Sequence, residues 1–181
     1  LMAKLLQNPM MSKAEYEYHL NDFLQGYYGE AAEYIAEYIA LTEEMMDANI
    51  AKNGHYTEKY YTVENNFDFA WDSSTNTYDM TYINQINVLW NKALASVEGE
   101  EYDHVRKSMM HWTYIELYNT MDNRYKYGTA EEKAELVARN EALYNDFKYY
   151  GITKIYGSSH ELQTVTDFTK SPHRDMGNWF D

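Results

Sequence analysis

The sequence predicts an all-α fold: a bundle of about five long helices, with one aromatic-rich loop over residues 55–78 and an irregular C-terminal tail. Three observations carry this expectation. Only two prolines and eight glycines punctuate 181 residues, which leaves room for long helices. Apolar side chains recur at spacings of three and four along most of the chain. Two capping boxes, Ser12 with Glu15 and Thr129 with Glu132, mark helix starts directly.

Taken in order, Leu1 to Gln7 reads as the last turns of a helix stopped by Asn8-Pro9. Leu1, Met2, Leu5 and Leu6 share one face, so residues 1–7 are expected to continue a helix from a preceding domain. Residues 1–181 then read as one helical domain cut from the C-terminal part of a longer protein. The Ser12 box opens a helix with Tyr16, Leu20, Phe23, Leu24 and Tyr27 on one face. Gly26-Tyr27-Tyr28-Gly29 is expected to form a tight turn, with Gly29 at positive φ and the two tyrosines pinning neighbouring helices.

The next helix spans about Glu30 to Ala51, with Tyr28, Ala32, Ile35, Ile39, Thr42 and Met46 on one stripe. Glu30, Glu33, Glu37 and Glu44 lie opposite and read as a solvated face. Residues 55–78 lose all periodicity and hold Tyr60, Tyr61, Phe67, Phe69 and Trp71. A loop of that length in a compact domain is often functional. Asp72, Ser74 and Asn76 imitate the start of a calcium loop, but Thr77 stands at its glycine and Ile83 at its bidentate glutamate.

Helical spacing returns from Met80 to Val97 through Ile83, Ile86, Trp90, Ala93 and Leu94, with Gly99 as punctuation. The helix from Tyr102 to about Lys126 carries two apolar stripes. Val105, Met109, Trp112 and Ile115 form one; Met110, Tyr114, Leu117 and Met121 form the other. Such a helix belongs in the middle of a bundle. The last helix puts Leu136, Leu143, Phe147 and Tyr150 on one face and stops at Gly151.

Composition excludes several classes of function. A net charge of −14 repels phosphate backbones, which argues against nucleic acid. No apolar run approaches the roughly 20 residues that membrane insertion requires. The absence of cysteine removes disulfides and thiolate chemistry. His104 and His111 lie seven residues apart on one helix, a rise of roughly 10 Å, too far for two imidazoles on one metal. There is no G-x-S-x-G elbow and no glycine-rich phosphate loop. With 29 acidic residues, some carboxylate pair will reach a glycosidase-like separation by chance, and no motif singles one out. No catalytic residue, metal site or cofactor is therefore expected within these residues.

One resemblance accompanies this reading. Leu5-Leu6-Gln7-Asn8-Pro9, the Ser12 box, Phe23-Leu24-x-Gly26-Tyr27-Tyr28-Gly29 and the long helix after them resemble a bacterial family of unknown function. In that family the segment is similar to a helical C-terminal domain behind a barrel of the β-hexosaminidase and α-glucuronidase kind. The likeness is good over residues 1–45 and weaker over the Trp112 and Phe147 helices and Asp167–Pro172. Gln7 stands where the pattern has an aromatic residue. The resemblance implies a barrel domain of the same chain as partner, an extracytoplasmic setting, and catalytic carboxylates outside residues 1–181.

Three functions follow. The first is a non-catalytic accessory domain that packs on a glycoside-hydrolase-like barrel and lines its glycan cleft. The second is a free-standing helical glycan-binding protein of a bacterial uptake system. The third is a purely structural or homodimerisation bundle that contacts no ligand. In the first two, Tyr60, Tyr61 and Trp71 are the expected ligand-binding rings, because flat aromatic faces stack on pyranose rings.

Overall fold

A computed structural model of the chain describes residues 6–53 and 70–152. The fold is all-α and bundle-like, with five long helices and one two-stranded sheet among the described residues. The helices are α1 (Lys13–Tyr28), α2 (Ala32–Asn53), α3 (Thr81–Ala95), α4 (Gly99–Tyr127) and α5 (Ala130–Tyr149). A 3-10 turn, Gly29–Ala31, joins α1 to α2. Strands β1 (Trp71–Asp72) and β2 (Thr77–Tyr78) form an antiparallel hairpin ahead of α3. Tyr60 and Tyr61, residues 55–69 of the expected loop and residues 153–181 lie outside the described residues, as do Leu1 to Leu5. Leu6 and Gln7 are helical.

Both capping boxes close as the sequence expects. Glu15 N donates to Ser12 Oγ at 3.3 Å while Ser12 N donates to the Glu15 carboxylate at 2.9 Å. The Thr129–Glu132 pair repeats this at 3.2 and 2.7 Å. Each box satisfies N–H groups that the first helical turn leaves without intrahelical acceptors. At the far end of α5, Gly151 takes φ +69. Ile152 N donates to Phe147 O at 2.8 Å and Gly151 N to Lys148 O at 3.2 Å, the paired bonds of a Schellman ending. Ile152 packs against the cluster that contains Phe147, which completes the motif.

The chain divides into two compact units, one of Leu1–Met46 with Thr81–Met109 and one of Asp47–Met80 with Met110–Asp181. In the first unit the core is apolar and aromatic. Leu24, Ala31, Ala32, Ile35 and Met45 are buried, as are Ile83, Ile86, Leu89, Trp90, Ala93 and Val105. The 3-10 turn packs against α1 and α3. The break expected across Gly26–Gly29 is narrower than the sequence suggests. Gly26 lies within α1, Tyr27 and Tyr28 complete that helix, and Gly29 alone bends the chain, at φ +55, ψ −130. That conformation suits glycine because a Cβ would be strained there. Tyr28 does pin two helices: its hydroxyl bonds Ser108 on α4 at 2.8 Å. Tyr27 does so through its ring and carbonyl, stacking on His104 at 3.8 Å while its oxygen meets His104 Nδ1 at 2.8 Å.

The second unit is built on a cluster of Met110, Leu117, Met121, Leu136, Leu143 and Phe147. Trp112 and Leu117, one from each stripe of α4, are both fully buried. Amid this apolar packing sit three buried polar side chains, Glu116, Thr120 and Asn140.

Candidate functional site

Trp71, the described member of the expected ring set, stands on β1. The aperiodic stretch ends in structure: its last eight residues pair as a hairpin with Trp71 opposite Tyr78 and Asp72 opposite Thr77. The four-residue connection is fixed by its polar side chains. The Asp72 carboxylate accepts from Ser74 N at 2.8 Å and Ser74 Oγ at 2.6 Å. These bonds, the hydroxyl's first, hold the Asp72 carboxyl below the usual carboxylate range. Asn76 takes φ +55, a conformation that asparagine tolerates better than most side chains. The residues that mimicked a calcium loop thus act as turn formers.

Alternation along so short a pair puts Trp71 and Tyr78 on one face and Asp72 and Thr77 on the other. The Trp71 and Tyr78 rings lie 4.8 Å apart at 53°. Tyr127, at the end of α4, adds a third ring 6.2 Å from Trp71. Tyr78 is anchored at its tip, donating to Asn119 O at 2.9 Å and accepting from Asn123 Nδ2 at 3.3 Å. Trp71 is half-buried beside that anchored ring, whereas Tyr127 is 46% exposed. Lys126 Nζ lies 4.8 Å from the Tyr127 ring centre, within cation–π distance. The result is an aromatic face with one fixed ring, one half-covered indole and one open ring beside a cation.

A second constellation is internal. The Glu116 side chain is fully buried, and Arg139 grips it with two bonds of 2.7 and 2.6 Å. Arg124 adds a third contact at 3.2 Å, and Thr120 Oγ1 donates to the Glu116 carbonyl oxygen at 2.9 Å. Burial alone would make Arg139 easier to deprotonate. The bonds and charge of Glu116, with Glu135 nearby, outweigh that and leave the guanidinium more basic than usual. A buried carboxylate with both oxygens engaged by arginine joins α4 to α5.

The remaining candidates do not converge on these places. His104 is held by Tyr27 and lies 3.8 Å from Glu100, and His111 is exposed. Glu30, Glu33, Glu37 and Glu44 are all exposed. Among the described residues, no three His, Asp or Glu side chains are grouped so as to hold a metal ion, and no helix is long and apolar enough to cross a membrane. Sequence reasoning missed Tyr78 and Tyr127 as partners of Trp71, and it missed Glu116. One signal for Glu116 was present: it continues the stripe Val105, Met109, Trp112 at helical spacing, a charged residue in a core position.

Compared with family models, curated proteins and solved structures, the chain matches none of them. The likeness read from Leu5–Pro9, the Ser12 box, Phe23–Gly29 and the helix after them, and more weakly from the Trp112 and Phe147 helices and Asp167–Pro172, therefore rests on those residues alone.

Proposed function

We propose that this chain is a non-catalytic helical module of a carbohydrate-active protein, one that presents the Trp71–Tyr78–Tyr127 face to glycan and packs beside a barrel domain. The observation that carries the reading is the ring trio. Tyr78 is locked by hydrogen bonds at its hydroxyl, so the indole next to it is preorganised, and the open Tyr127 ring widens the apolar face. Preorganised rings lose little entropy when a sugar docks, and their polar tips suit a ligand with an apolar face and a hydroxylated edge.

Two features of the described residues favour binding over catalysis. Asp72, the carboxylate on the same hairpin, is stabilised in its charged form, the direction opposite to that of a glycosidase general acid. Glu116 has both oxygens occupied by arginine. The test is a tryptophan-fluorescence titration with a panel of neutral and acidic oligosaccharides, on wild type and Trp71→Ala. The reading expects a saturable response in wild type that Trp71→Ala abolishes and Tyr127→Ala weakens. No response from wild type across the panel, or an equal response from Trp71→Ala, would leave the three rings as packing alone.

A further inference from the structure

The tilts of the three rings restrict the physical form of glycan that can use them. Trp71 meets Tyr78 at 53° and Tyr127 at 34°, so neither neighbour is coplanar with the indole. Centre-to-centre distances of 4.8 and 6.2 Å make the three a continuous surface, folded at the indole. A flat body can lie against one facet of such a surface and not against all of it.

The fold in the surface is fixed. Tyr78 is tied at its hydroxyl to Asn119 O and Asn123 Nδ2, so it cannot swing level without losing both bonds. The hairpin register sets Trp71 opposite Tyr78. Over the Tyr127 ring lies the Lys126 ammonium, 4.8 Å from its centre. That cation takes one of the two faces of the ring, which leaves the other for stacking. Both Lys126 and Tyr127 are exposed, so the ammonium also brings three N–H donors to the rim of the ring surface.

Glycans reach a protein in two physical forms. In a crystalline polysaccharide the chains are locked side by side and their pyranose faces form a plane. Rings that bind such a plane must be coplanar, because each stacks only when its face lies parallel to the sugar. A single chain in water turns about its glycosidic bonds, so successive sugars can present their faces at different angles. Its hydroxyl edges are open to a donor such as Lys126, whereas those of a crystal face are bonded to neighbouring chains. The single chain gives up freedom on docking, and rings already set in place confine that loss to the ligand. We infer that the Trp71–Tyr78–Tyr127 face takes a single glycan chain in solution, with Lys126 donating to its hydroxyls, and not the flat surface of a crystalline polysaccharide. The inference rests on the glycan reading above and adds to it the form of the ligand.

The probes are matched pairs of one sugar in both forms: cellohexaose with microcrystalline cellulose, chitohexaose with crystalline chitin, and mannohexaose with crystalline mannan. With the full chain, tryptophan fluorescence follows the soluble member and co-sedimentation the insoluble one. At least one hexaose should bind, while its crystalline counterpart leaves the protein in the supernatant. Tyr127→Ala should weaken the hexaose by about tenfold, and Lys126→Met by about threefold or more. Both substitutions fall on exposed side chains, and an unchanged circular dichroism spectrum separates loss of binding from loss of fold. Sedimentation with a crystalline member that its own hexaose cannot compete away would overturn the inference and leave the glycan reading standing. Hexaose binding indifferent to both substitutions would place the ligand elsewhere and overturn it as well. Silence from both members of every pair would overturn the inference and the glycan reading together.

Discussion

The two units of the chain solve the problem of a tyrosine-rich, acidic composition differently. The first has no fully buried charged side chain among its described residues and buries Trp90, Ile83, Ile86 and Met45, with tyrosine hydroxyls such as that of Tyr28 turned to partners such as Ser108. The second buries a carboxylate and covers it with two guanidinium groups. An apolar stripe tolerates changes of shape at modest cost. A buried ion pair tolerates almost none, because removing one partner strands the other in a medium that cannot solvate it. The second unit should therefore be the more brittle to single polar substitutions.

The largest expected effect lies there. Arg139→Met removes both short bonds to Glu116 and leaves it only the 3.2 Å contact to Arg124. Stability should fall by roughly 3–5 kcal/mol, the usual cost of breaking one side of a buried pair. Urea denaturation measures it. A loss below about 1 kcal/mol would mean that the pair is effectively solvated, and the contrast between the units would disappear.

The glycines of the first unit give a smaller and signed test. Gly29→Ala places a Cβ at φ +55 and 3.3 Å from Glu101 Cγ, so it should cost more than about 1 kcal/mol. Gly26→Ala meets nothing within 4 Å and lies inside α1, so it should stabilise by about 0.5–1 kcal/mol. Melting temperatures that move in the same direction would contradict the placement of the bend at Gly29.

Smaller still is an alkaline effect that belongs to the first unit. Burial pushes the Tyr28 and Tyr38 hydroxyls above the ordinary value of 10.0. The folded state holds those protons more tightly than the unfolded one. Their contribution is therefore complete below pH 10 and lost as pH rises through the folded values. Thermal melts between pH 9 and the alkaline limit should show stability falling only above about pH 10, and less in Tyr38→Phe. A decline that begins well below that would assign the loss to other groups.

Local signals were legible in the sequence, and long-range ones were not. Ser12 with Glu15 and Thr129 with Glu132 act within one helical turn, so spacing alone reveals them. The two stripes of α4 are equally plain, and both supply buried residues. Gly26 reads as part of the bend because two glycines three apart suggest a turn between them, whereas the helix runs on through Gly26 to Tyr28 and the positive φ expected at Gly29 makes the bend alone. Glu116 and Asn140 sit at core spacing, but as polar residues they interrupt the apolar stripes that mark a core; the partner of Glu116 lies 23 residues away on another helix. The hairpin has only two residues per strand, too short for alternation to register, and Trp71 meets Tyr127 only through tertiary structure. The candidate site was thus legible as one residue, Trp71, and not as a face.

The most direct test of that face uses two buried tryptophans, Trp90 and Trp112, as internal controls for Trp71. In a 1H–15N spectrum of the indole groups, Trp90 and Trp112 report from fully buried positions and Trp71 from the half-buried ring face. Titration with a glycan that quenches wild-type fluorescence should move the Trp71 resonance progressively to saturation while Trp90 and Trp112 stay in place. A stationary Trp71 signal under saturating glycan, or equal movement of the two buried indoles, would contradict a binding site at Trp71, Tyr78 and Tyr127.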